Sequence, residues 1–209
     1  MLSQNLREQF GEIDIYLFDQ LLRGTIVPGM KVLDAGCGYG RNLYYLMREG
    51  YDVSAIDISP EAVERTRALA ARLAPSLPPE NFRAEPAEKI SFPGESFHIV
   101  FSIAVLHFAR SQSHFDAMLD EMWRVLKPGG TLFARLASSI GIEEHVRPLG
   151  DGRYAIPDGS IRLLVDEPML LSAAERLGGV LADPVKTVNV GNIRCMSTWC
   201  LRKMSPGHR

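Results

Sequence analysis

Between Lys31 and Ala137 the chain repeats one device: a short, mostly apolar run followed by a stretch with helical spacing. KVLDA (31–35), YDVSAID (51–57), FHIVFSIAVL (97–106) and TLFARLA (131–137) read as strands, with NFRAEP (81–86) as a weaker one. Such runs lack the polar alternation of a strand with one wet face, so they suit strands covered on both sides. Near the end, DPVKTVNV and RCMSTWCLR flank Gly191-Asn192 and read as a final pair of antiparallel strands. The expectation is an α/β fold: a doubly wound, mostly parallel seven-stranded sheet with helices on both faces.

Punctuation sets the helices. Apolar letters at Ile13, Tyr16, Leu17, Leu21 and Leu22 predict a helix over 11–23, with Gly24 as its stop. RNLYYLMRE (41–49) predicts a second, with Leu43, Leu46 and Met47 inward and Gly50 at its end. Ser59-Pro60 starts a third: a capping hydroxyl, then a proline whose missing N–H costs nothing there. It runs to about Leu73, where Pro75, Pro78 and Pro79 forbid continuation. Further helices are expected over 113–126 and 167–178, a tight turn at Lys127-Pro128-Gly129-Gly130, and irregular chain over 138–160. One domain is expected, with a helical cap (1–29), a core (30–137) and a region of loops and final strands (138–209).

Charge and composition exclude more than they name. The net charge is −2, and Arg202-Lys203 at the tail is the only adjacent Lys/Arg pair, so no phosphate-tracking face is expected. Neither nucleic acid nor a membrane is expected as a partner, and no run approaches the roughly 20 apolar residues of a membrane span. The N-terminal letters are mixed and charged, unlike a signal peptide. Cys37, Cys195 and Cys200 are few, odd in number and wrongly spaced for zinc, so they read as reduced thiols in a cytoplasmic protein. Oligomeric state is not legible.

VLDAGCGYG (32–40) removes side chains at Gly36, Gly38 and Gly40, directly after the first strand. A bare loop there lets a ligand approach the backbone and aims N–H groups at its anionic part. The same loop can also be a tight turn that binds nothing. Asp57 ends the second strand 17 residues after Gly40, where a carboxylate can accept both ribose hydroxyls of a nucleotide. A dinucleotide-binding fingerprint, G-x-G-x-x-G, would need glycine at 41, but the residue is Arg41. The spacing disfavours NAD.

VLDAGCGYG, AIDIS, SFHIVFSIAVLHF and LKPGG, in this order over about 30–137, resemble the motif series of class I S-adenosylmethionine-dependent methyltransferases. GYGRN followed by LMREGYDVSAID resembles, more narrowly, the small-molecule branch that includes tellurite-resistance and thiopurine-type enzymes. The resemblance implies the cofactor S-adenosyl-L-methionine, with S-adenosyl-L-homocysteine as product, and a small-molecule methyl acceptor. It implies that Gly36, Cys37, Gly38 and Gly40 cradle the methionine part and that Asp34 orients the loop or the cofactor's amino group. Asp57 would take the ribose, and Ile58 would lie against adenine. Arg41 would clamp the cofactor carboxylate or a substrate anion, and it can equally be a solvated helix-start arginine. Ser102 and Ile103 would offer carbonyls to the ammonium. Pro86 and Ala87 stand where the family usually has an acid–small pair that reads adenine. Proline offers neither carboxylate nor N–H, so the contact falls to the Ala87 N–H and to Glu85 or Glu88.

His107, after the fourth strand, is the expected catalytic residue, as base or as orienter of substrate; it can equally cap a helix or hold a loop. His114 is expected to be structural, and Tyr16 and Phe10 to be core. His145, Arg147, Arg153 and Tyr154 belong to a region where substrate loops are expected. A thiolate or other soft acceptor needs no base, whereas an oxygen or amine usually does. Two other functions stay open on sequence: an NAD-dependent oxidoreductase, and a non-catalytic protein that binds S-adenosylmethionine.

Overall fold

The computed structural model describes residues 2–205. The chain runs through α1 (Leu2–Phe10), α2 (Ile15–Leu22), β1 (Lys31–Ala35), α3 (Tyr44–Arg48), β2 (Asp52–Asp57), α4 (Pro60–Leu73), β3 (Phe82–Ala84), β4 (Phe97–Ile103), α5 (Gln112–Val125) and β5 (Leu126–Ser138). The remainder comprises β6 (Arg147–Gly150), β7 (Arg153–Ala155), β8 (Ile161–Leu163), α6 (Glu167–Leu177), β9 (Gly179–Leu181), β10 (Lys186–Val190) and β11 (Arg194–Lys203). The main sheet has eight strands in the order β10-β11-β5-β4-β1-β2-β3, with β9 also paired to β11. β1 to β5 are mutually parallel, and β11 returns antiparallel beside β5. The strand order reverses between β1 and β4, and such a reversal opens a crevice at the strands' carboxyl ends.

Alternation along β1 builds two cores. Leu33 and Ala35 face the layer of α5 and α6, with Phe115, Leu119, Leu170 and Trp199. Val32 faces the layer of α2, α3 and α4, with Leu17, Leu46, Val63 and Phe101. Ser59 caps α4 as expected, accepting the Ala62 N–H, and the helix ends at Leu73.

Four expectations need correction. The stretch 138–160 is not irregular: its β6 and β7 join β8, just beyond it, in a three-stranded antiparallel sheet, seated through Tyr154 and Ile156 on Ala137 and Leu164. Lys127-Pro128-Gly129-Gly130 does not stand apart as a turn but lies in β5, where the pairing with β4 shifts register between Phe97 and Ile99. Gly130 is pressed there against the His98 carbonyl, 2.8 Å from where a Cβ would sit, and no larger residue fits. α3 begins at Tyr44 rather than 41, because 41–43 form turns. The main sheet gains an eighth strand, β9, between α6 and β10.

All three cysteines are buried and free. Among the described residues no helix is long and apolar enough to cross a membrane.

Candidate active site

A cavity of about 980 Å³ opens at the carboxyl ends of β1, β2 and β4. Its floor is the glycine loop. Gly36 has φ +102, and a Cβ there would lie 2.2 Å from Val105 Cγ2. Gly38 has φ +50 with open space where a Cβ would be, so its backbone is presented bare to the cavity it lines. The loop's amides are committed internally: the Gly36 and Cys37 N–H groups donate to the Ile56 carbonyl, and Gly40 donates to Cys37. Gly38 donates to Asp57 at 2.8 Å. The expected row of free N–H groups is therefore absent at these positions. A cradle of this kind suits a neutral or cationic group better than an anion.

Asp57 is the loop's organiser. One carboxylate oxygen accepts the Gly38 N–H, and the other accepts the Ser59 N–H at 2.9 Å. A carboxylate has about four acceptor positions. Two remain for hydroxyls in the cavity that Asp57 lines.

Asp34 lies beneath the loop, wholly buried, and no described residue donates to either of its oxygens. Burial, and then the neighbouring Asp57 charge, push its carboxyl well above the usual range, against the opposing pull of Arg41. A buried acid with no partner is costly, and an incoming cation would relieve it. Both features fit the cationic methionine end of S-adenosylmethionine.

The expected residues divide by position. Gly36, Cys37, Gly38, Arg41, Asp57, Ile58, Pro86, Ala87 and Ile103 line the cavity. Asp34, Gly40, Ser102 and His107 do not. Gly40 faces α4 instead, where a Cβ would lie 3.1 Å from Leu69 Cδ2 and 3.2 Å from Thr66 Oγ1. The Ser102 hydroxyl donates to the Ala35 carbonyl, at 3.1 Å.

The expectation of a base at His107 is not met. Its ring is buried in the turn after β4, and Nδ1 accepts the Ala137 N–H at 3.2 Å. Burial, aided by Arg162, pushes its pKa down to about 4, so the ring is a neutral acceptor.

His114 departs the other way. Expected to be structural, it lines the cavity from the first turn of α5. Its Nδ1 accepts the Arg110 N–H at 3.1 Å, and its Nε2 lies 3.0 Å from Glu88 Oε1. The Nε2–H is off-line for a hydrogen bond, so that contact is electrostatic.

Several wall residues carried no signal readable at the outset. Ala104, just beyond β4, has φ +62, a conformation that glycine usually fills; strain of this kind clusters at functional sites. Phe108 and Met118 supply apolar wall, and Glu12 reaches the mouth from the segment between α1 and α2. Tyr16 and Phe10 pack as expected: Arg135 lies over Tyr16, and Phe10 meets Phe18 and Tyr45. His145 and Arg147 are exposed, and neither they nor Arg153 and Tyr154 line the cavity.

A family described as "Methyltransferase domain" matches residues 33–134, the stretch that builds this cavity's floor and walls. Over that stretch, just under half of the 209 residues, the chain is similar to this methyltransferase family. It is 37% identical over 109 residues to a 2-methyl-6-phytyl-1,4-hydroquinone methyltransferase of Synechocystis, a match covering 52% of this chain and 32% of that protein. The chain thus spans less than half the length of the curated relatives it matches first.

Among solved structures, a Burkholderia thailandensis 1,6-didemethyltoxoflavin-N1-methyltransferase aligns with TM-score 0.70 and 19% identity, over 97% of this chain and 83% of that one. That structure contains 1,6-didemethyltoxoflavin and S-adenosylhomocysteine. A Methanosarcina mazei S-adenosylmethionine-dependent methyltransferase aligns with TM-score 0.69 and 22% identity, over 88% and 97%. At these identities the likeness is one of fold.

Proposed function

We propose that this methyltransferase moves a methyl group from S-adenosylmethionine to a small-molecule acceptor in the cytoplasm. The observation that carries the reading is one cavity that gathers the bare Gly36–Gly38 backbone, Asp57 with acceptor positions to spare, and the Ala87 N–H. Asp34 beneath the loop, pushed toward its neutral form by burial and by Asp57, would be drawn toward its charged form by a cationic ligand. S-adenosylmethionine, when bound, supplies a methyl group made electrophilic by its sulfonium.

The chain's own residues then have three tasks. Asp57 holds ribose hydroxyls while keeping Gly38 and Ser59 in place. The Gly36 carbonyl, which accepts no hydrogen bond from the described residues, is free for an ammonium. Ile103, Val105, Phe108 and Met118 keep water from the reacting end. Holding two reactants in line near 3 Å can supply roughly 7–11 kcal/mol of the barrier, so positioning alone accounts for much of the rate. His107, neutral and occupied, takes no proton from the acceptor. The cavity therefore suits an acceptor that is already nucleophilic.

The names of one relative and one fold neighbour contain ring-bearing molecules, a 2-methyl-6-phytyl-1,4-hydroquinone and 1,6-didemethyltoxoflavin, and a ring-bearing acceptor is the first class to test. Calorimetry with S-adenosylhomocysteine should give micromolar binding, with no heat from NADH, and Asp57→Ala should weaken binding more than about tenfold through lost ribose contacts. NADH binding in place of S-adenosylhomocysteine would remove the reading. Binding without turnover across a panel of phenols, amines, thiols and metalloid oxyanions would make the protein a binder rather than an enzyme.

A further inference from the structure

Adenine presents a donor beside an acceptor: the exocyclic amine next to ring nitrogen N1. A wall that reads it needs an acceptor beside a donor. The segment after β3 supplies the donor, since Ala87 lines the cavity and its N–H makes no hydrogen bond within the described residues. The acceptor is the open question. Pro86 has no polar side-chain atom, and its carbonyl is taken by the Lys89 N–H at 3.1 Å. Glu85 lines the cavity but has turned outward: Oε1 accepts the Ser91 N–H at 3.0 Å, and Oε2 accepts the Ser91 hydroxyl at 2.5 Å.

Glu88 is left. It lines the same wall, half-buried, one residue beyond the free N–H. Its Oε1 is held from the protein side, 3.0 Å from His114 Nε2 and 3.4 Å from the Arg110 guanidinium. No hydrogen bond from another described residue reaches its Oε2. Burial works to raise its pKa, but its own backbone N–H, His114 and Arg110 outweigh burial and hold the carboxyl below the usual range, so it is an ionised acceptor.

We infer that Glu88, held by His114 and Arg110, accepts the exocyclic amine of the cofactor's adenine, in place of the side chain that Pro86 lacks. The inference rests on the methyl-donor reading above. It assigns Glu88 a role in specificity: the carboxylate would face the carbonyl of a hypoxanthine ring, acceptor against acceptor. A polar site left mismatched rejects an analogue far more strongly than an apolar one does.

The test compares S-adenosylhomocysteine with S-inosylhomocysteine by calorimetry, alongside melting curves for each variant. Wild type should prefer the adenine form by about tenfold or more. Glu88→Gln, whose amide both donates and accepts, should lower that preference at least fivefold. Glu85→Gln should keep it within twofold, because Glu85 is spent on Ser91. A wild-type preference below tenfold, a fall below fivefold in Glu88→Gln, or an equal fall in Glu85→Gln would overturn the assignment. Failure of the wild type to bind either compound is a different result. It would remove the methyl-donor reading itself, and the assignment with it.

Discussion

Buried in the turn after β4, His107 holds the Ala137 N–H with Nδ1, and its charged form is disfavoured by burial and by Arg162. Histidine in an unfolded chain ionises near about 6.5. Folded, His107 takes a proton only near pH 4. Between those values the unfolded state binds more protons, so stability rises with pH across the window and is lost as pH falls through it. The full gap corresponds to about 3 kcal/mol. Urea unfolding at pH 7.5 and 4.5 should show wild type losing about 2–3 kcal/mol more than His107→Gln, whose side-chain oxygen can accept the same N–H. Equal losses would mean that His107 is not a buried neutral acceptor. Comparing the two proteins cancels Asp34, whose raised pKa acts with the opposite sign. A histidine at the carboxyl end of a strand has the right address for catalysis in sequence. Which way its ring turns depends on an N–H 30 residues away, and nothing local to 97–108 encodes that.

The glycine loop and the helices beside it divide their work between ligand and fold. Gly36 and Gly38 face the cavity, whereas Gly40, at φ +78, admits α4 through Leu69 and Thr66. Gly40→Ala should cost about 1–3 kcal/mol of stability from backbone strain and the tight contact, read by urea unfolding. S-adenosylhomocysteine affinity should stay within about threefold, because the added methyl meets α4 and not the ligand. A tenfold loss of affinity at unchanged stability would instead put Gly40 in the binding site. Three glycines in alternation read alike in sequence; which of them faces a ligand depends on where α4 packs. β1, β2, β4 and α4 were legible because each carries its own signal, a continuous apolar run or a Ser-Pro start. β6, β7 and β8 were not. Their letters, RPLG, RYA and IRL, are too short for a period, and they hold together by pairing with one another and by resting on Ala137 and Leu164.

At the scale of the whole molecule, the cavity joins parts far apart in sequence. Asp14, at the start of α2, is buried and paired with Arg135 of β5 at 3.0 Å. Its backbone N–H donates to Asn42 beside the glycine loop, also at 3.0 Å. Glu12, two residues earlier, lines the cavity mouth. The N-terminal segment is thus tied both to the sheet and to the loop, and the groups lining the cavity run from Glu12 to Met118. Such a ligand binds the folded state alone, so it stabilises the molecule by mass action. At a hundred times its dissociation constant it should contribute about 2.7 kcal/mol. For a domain of this size each kcal/mol is worth about 2–4 °C in melting temperature. S-adenosylhomocysteine should therefore raise the melting temperature by about 5–11 °C at that concentration, and each further tenfold should add about 3–5 °C. NADH at matched concentration should leave it within 1 °C, about the scatter of a melting curve. The concentration dependence is the deciding feature, because a nonspecific additive effect does not follow the logarithm of free ligand. A melting temperature that ignores S-adenosylhomocysteine, or that tracks NADH equally, would separate this cavity from the methyl donor proposed for it.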